Sequence, residues 1–169
     1  MKCPSEVVAP VLVIDTGPLI ALTKVSLLPL LLSLFDRICI PHSVAAELQL
    51  DGNRPDAVAL KAFLKNNRSL QLQAAKAISD RLSDMLDEGE AEAIALATEL
   101  DAVLLIDEKR GRAVAHQWNV PIIGTGRLLV AAKKRGYLEC VRPAIEELRK
   151  VGYRLADAIV EQIMVEAGE

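Results

Sequence analysis

Aromatic residues make up only 3% of this 169-residue chain. That scarcity excludes the base-stacking platform on which non-specific single-strand binders rely. Cysteine is scarce too. Cys3, Cys39 and Cys140 are odd in number, far apart and form no C-x-x-C, so neither a disulfide framework nor a zinc knuckle is supported. Reduced thiols in a cytoplasmic protein are the expectation. The two histidines, His42 and His116, lack the spacing of a helical ligand pair. Positive charge is not in excess: 20 Lys and Arg stand against 23 Asp and Glu, a net charge of −3, so a nucleic-acid ligand would need a local basic patch. The most apolar segment, Leu27–Phe35, falls far short of the ~20 residues of a membrane span. The stretch Val7–Leu22 is interrupted by Asp15 and two prolines, so no secretory signal and no membrane association are expected. Repeats, low-complexity tracts and an evident linker are also missing.

What is present is apolar mass in an alternating pattern. Hydrophobic residues make up 51% of the chain, enough to bury a core and offset the entropy of ordering. A single domain over residues 1–169 is expected, with its core at about 11–136 and C-terminal helices at about 143–166. Strand and helix signals alternate, which argues for an α/β fold with a parallel sheet covered by helices. Val11–Ile14, Arg37–Ile40, Ala102–Ile106 and Pro121–Ile123 read as strands, and Leu70–Leu72 as a short edge strand. Leu19–Phe35 reads as two short helices, the second started or bent by Pro29. A turn is expected at 51–55. Further helices are predicted at 43–48, 56–65, 74–85, 90–100, 108–118 and 127–135, the last stopping at Gly136.

Asp15 ends the first apolar strand, and Asp107 ends another. In open α/β sheets the carboxyl ends of strands are where ligands bind. Glu47 follows the second strand on the same side. A further acid comes from the cluster Asp87–Glu92. The helical face of Glu90 continues through Ala93, Ile94, Ala97 and Leu100, whereas that of Glu92 runs to charged Glu99. Glu90 is therefore expected at the site and Glu92 toward solvent. One aspartate at a strand end is ordinary turn or cap chemistry; the set carries the inference. Buried carboxylates repel one another, and a hard divalent cation such as Mg²⁺ or Mn²⁺ would neutralise them. Two such ions about 3.5–4 Å apart suit phosphodiester hydrolysis. Lys109, Arg110, Arg112 and Arg127, with the Gly124-Thr125-Gly126 turn, are candidate phosphate contacts, although charges of this kind are equally at home on a solvated helix.

The segments VIDTGPLIAL (13–22), IPHSVAAEL (40–48), GEAEAIALA (89–97), LLIDEKRGR (104–112) and GRAVAHQWNVPIIGTG (111–126) together resemble the PIN-domain family. They look closest to its prokaryotic branch related to VapC-type toxins of toxin–antitoxin pairs. The resemblance implies a three-layer Rossmann-like fold with about five parallel strands. It also implies Mg²⁺- or Mn²⁺-dependent endoribonuclease activity, an RNA substrate and commonly a homodimer, with a small DNA-binding antitoxin as partner. By this resemblance Asp15, Glu47, Glu90 and Asp107 are the catalytic acids and metal ligands, and Glu108 shares or takes the role of Asp107. Two positions depart from the pattern: Glu90 stands where many relatives have Asp, and Ile106 where a Thr often precedes the last acid. The alternative is a PIN-like binding protein of weak or no activity. A phosphatase with Asp15 as nucleophile fits less well, because the second Asp of D-x-D-x-T is missing. The leucines of 27–34 are expected in the core, with a dimer interface as the alternative.

Overall fold

The computed structural model describes residues 11–49 and 52–169. Among them, five strands form one parallel sheet in the order β3-β2-β1-β4-β5. The strands are β1 (Val11–Ile14), β2 (Arg37–Pro41), β3 (Leu70–Gln73), β4 (Val103–Leu105) and β5 (Ile122–Ile123). The helices are α1 (Thr16–Lys24), α2 (Pro29–Leu34), α3 (His42–Glu47), α4 (Pro55–Asn66), α5 (Asp80–Met85), α6 (Glu88–Leu100), α7 (Lys109–Gln117), α8 (Thr125–Lys134), α9 (Val141–Lys150) and α10 (Asp157–Ala167).

The continuous apolar strands are explained by burial on both faces. Successive side chains of a strand point to opposite sides. Leu12, Ile14, Ile38, Ile40 and Leu105 join a core with α1, α2, α8, α9 and α10. Val13, Cys39, Leu104 and Ile106 join a second core with α5, α6 and α7. The result is the expected three-layer α/β arrangement, and the C-terminal helices share the first core. Leu28, Leu30, Leu31 and Leu34 are buried there as well. No helix among the described residues is long and apolar enough to cross a membrane.

Topology positions the site. The first described strand, β1, lies in the middle of the sheet; the chain then moves outward through β2 and β3 and returns to place β4 on the other side of β1. Connections leaving β1 and β4 therefore diverge, which opens a crevice at their carboxyl ends. The register pairs Ile14 with Leu105, and the Asp15 amide donates to the Leu105 carbonyl at 3.0 Å. Asp15 and Asp107 consequently leave neighbouring strands at nearly the same level.

Local signals set most helix starts. Pro29 stands in the first turn of α2, where its missing N–H costs nothing. The carboxylates of Asp87 and Glu108 accept the amides of Glu90 and Gly111, both at 2.9 Å, and so cap α6 and α7. One predicted helix is shorter than expected: within 74–85 only α5 is helical. The Ala75 amide donates to Glu92, and the Lys76 and Ala77 amides donate to Glu99. Carboxylates of α6 thus take the donors that a helix start would offer, and the Ser79 hydroxyl caps α5 instead. Residues 124–126 also differ from the sequence reading, because Gly124 caps α8 and Thr125 is its first helical residue. Cys3 and position 51 of the expected turn lie outside the described residues.

Candidate metal and nucleic-acid site

Asp15 lies at the bottom of the crevice, 6% exposed. Burial pushes its carboxyl up to about 6; the Thr16 amide opposes this, and the charges of Asp87, Glu47 and Asp107 add to it. Glu90, in the first turn of α6, is pushed up to about 7, by burial first and then by the charges of Asp87, Asp15 and Glu108. These acids therefore lie within electrostatic reach of one another. Asp87 belongs to the group although Glu90 alone was expected from the cluster Asp87–Glu92; its position three residues before Glu90 was the available signal.

Glu47 is the last residue of α3 and is exposed. It reaches back over the site, where its carboxylate accepts the Thr16 hydroxyl at 2.7 Å. Asp107 is held by three donors: the Thr125 amide at 2.9 Å, the Thr125 hydroxyl at 2.5 Å and the Tyr153 hydroxyl. Burial and the Asp107 charge push the Tyr153 phenol well above its ordinary value, so it stays a donor. Tyr153 lies between α9 and α10, 46 residues from Asp107, and nothing local in the sequence announces the contact.

Glycines make room for the acids. A Cβ at Gly89 would run into the Glu47 carboxylate, with its Cδ at 3.1 Å. One at Gly111 would meet Glu90 Oε1 at 2.9 Å, and one at Gly124 would meet Asp107 Oδ1 at 3.0 Å. Each of these acids is seated against a position that carries no side chain.

Two expectations change. Glu92 is 6% exposed rather than solvent-facing. It accepts the Ser43 amide at 2.7 Å, the Ser43 hydroxyl and the Ala75 amide at 3.1 Å, which ties α6 to α3 and to the segment before α5. The apolar-stripe rule failed because polar partners from distant segments bury Glu92. Thr125, expected as a phosphate contact, is fully buried with its hydroxyl on Asp107. Glu108 is occupied as the α7 cap, although its charge reaches Glu90.

A cavity of about 670 Å³ opens beside Asp107, with Lys109, Arg112 and Arg127 in its wall. Arg112 also donates to the Ile106 carbonyl at 3.2 Å. Arg110 is exposed on α7 and is not part of that wall. The crevice thus combines clustered acids with adjoining cations. Its all-oxygen donor set, with two carboxyls held toward the protonated form by burial and mutual repulsion, matches a hard divalent cation in kind. Among the described residues, no three of His, Cys, Asp and Glu are already drawn together at metal-holding spacing.

A family model described as "DUF3368: PIN domain" matches residues 11–169. Among solved structures, a PilT N-terminus domain protein from the hyperthermophilic archaeon Sulfolobus solfataricus is similar at 20% identity and a TM-score of 0.48. The similarity covers 72% of this chain and 92% of that one. No curated protein matches the sequence.

Proposed function

This chain belongs to the PIN-domain family, typically a nuclease fold, and from that premise we propose that it is a Mg²⁺- or Mn²⁺-dependent endoribonuclease. The observation that carries the proposal is the group of acids at the carboxyl ends of β1 and β4, where Asp15 and Glu90 both feel their neighbours' charge. Asp15, Glu47, Glu90 and Asp107 would hold the cation, with Glu108 at the margin. When bound, the cation supplies water activation and charge neutralisation at the phosphodiester. Thr125 and Tyr153 fix the orientation of Asp107. Lys109, Arg112 and Arg127, with Arg110 farther out, position the RNA backbone.

The test is cleavage of RNA by the purified protein with Mg²⁺ or Mn²⁺, beside Asp15→Asn. Loss of cleavage in the variant is expected; equal rates in the two proteins would sink the catalytic reading. One observation favours the alternative of a binding protein with a weak metal site: both Asp107 oxygens already accept hydrogen bonds. If millimolar Mn²⁺ produced no thermal shift, that alternative would gain.

The toxin role, a small DNA-binding antitoxin, a homodimer and a cytoplasmic location belong to this proposal on the strength of the resemblance. Co-expression with a neighbouring small DNA-binding protein, with relief of growth arrest as readout, tests the toxin role. Sedimentation tests the dimer.

A further inference from the structure

The cavity beside Asp107 has a second wall that comes from the C-terminal segment. Arg154, Leu155, Ile159, Gln162 and Ile163 face Lys109, Arg112 and Arg127 across it. We propose that this cavity binds the sugar–phosphate backbone of single-stranded RNA next to the scissile bond, with Arg154 as a phosphate ligand. This rests on the endoribonuclease reading above and adds to it the path of the strand and a residue of the C-terminal segment.

Arg154 is exposed, yet the backbone around it is pinned. On one side the Tyr153 hydroxyl is bound to Asp107, and the Tyr153 amide donates to the Leu148 carbonyl at 3.0 Å. On the other, Arg149 donates to the Leu155 carbonyl at 3.2 Å and pairs with Asp157 at 2.6 Å. A cation carried on a pinned backbone beside the acids loses less entropy on binding than one on a free loop.

The charges favour an anion. Arg127 is balanced by Glu166 at 3.4 Å. Among the described residues, neither Lys109 nor Arg154 has a hydrogen-bond or ion-pair partner. Apart from the charged residues and Gln162 the wall is glycine and aliphatic side chains, and among the described residues no aromatic ring lines it. Such a surface contacts phosphate and sugar without stacking or reading bases. The volume of about 670 Å³ suits a short piece of chain rather than a duplex.

Close packing keeps the second wall in place. A Cβ at Gly126 would overlap Ile163 of α10. The start of α8 therefore packs directly against the Ile163 side chain of α10.

The experiment is fluorescence anisotropy with a fluorescein-labelled oligouridylate in EDTA, so that binding is read without cleavage, across a series of KCl concentrations. Arg154→Ala should weaken binding roughly fivefold and reduce the salt slope by about 0.7, the value for one phosphate contact on a single strand. Arg154→Lys should recover part of the affinity, and Arg154→Glu should weaken binding more than Arg154→Ala. Arg68→Ala, at the opposite end of the sheet, should change neither quantity. If the unaltered protein binds and cleaves RNA while Arg154→Ala keeps both its affinity and its salt slope, the proposal is overturned and the endoribonuclease reading stands. If the unaltered protein neither binds the probe nor cleaves RNA, both are overturned.

Discussion

Replacing Asp15 by Asn should make the metal-free protein more stable. In the folded state the Asp15 carboxyl is pushed up to about 6 from an ordinary 3.8. Between those values the folded chain keeps a proton that the unfolded chain has released, so stability falls as pH rises through this window. Above it the loss is complete. At about 1.4 kcal/mol per pH unit it amounts to ~3 kcal/mol. Asparagine removes the ionisation and keeps a carbonyl oxygen for the Thr16 amide. At pH 8 in EDTA, Asp15→Asn should therefore exceed the original protein by up to ~3 kcal/mol, and at pH 4.5 the difference should shrink to ~1 kcal/mol. Urea unfolding at the two pH values measures it. Mn²⁺ should then reverse the order, because binding to the folded state stabilises only a chain that can bind it. If Asp15→Asn were no more stable than the original at pH 8, or gained equally at both pH values, the reasoning would be refuted.

Three further outcomes follow from the same geometry. Glu92→Ala should cost roughly 2 kcal/mol in urea unfolding, because the half-buried Ser43 and Ala75 amides each lose a charged acceptor, at about 1 kcal/mol per group. Mn²⁺ affinity, followed by calorimetry, should weaken as pH falls from about 7 to about 5, when Glu90 and then Asp15 take up protons; a flat profile would contradict their assignment as ligands. Tyr153→Phe should raise the Mn²⁺ concentration for half-maximal cleavage several-fold with little change in saturated rate, as expected of a group that only aims Asp107; an unchanged metal requirement would remove that role.

Much of the fold was legible because its signals are local. Runs such as Val11–Ile14 can only be strands buried on both faces, and Pro29 announces the start of its helix. The acids at strand ends could be placed from topology alone. What escaped was decided by contacts between distant segments. Alanine-rich 74–79 has helix propensity, yet Glu92 and Glu99 of α6 collect its amides. Helical periodicity ranks apolar stripes, and it had no means of foreseeing that Ser43 and Ala75 would bury Glu92. Thr125 sits in a turn-like Gly-Thr-Gly string, but the parallel pairing of β4 and β5 brings it under Asp107. Tyr153 reaches the same carboxylate from a segment that sequence separation made invisible.

The seats at Gly89, Gly111 and Gly124 have a consequence for redesign. A comparison confined to the acids would transfer four carboxylates to a related scaffold and find the constellation complete. Yet a single methyl at any of these glycines displaces an acid without altering its identity. Gly89→Ala should therefore weaken Mn²⁺ binding, read by calorimetry, though less than the loss of Glu47 itself. Whether a homologous chain keeps a competent centre is written as much in its missing side chains as in its charged ones. A survey that scores both will separate intact centres from silent ones that retain every acid.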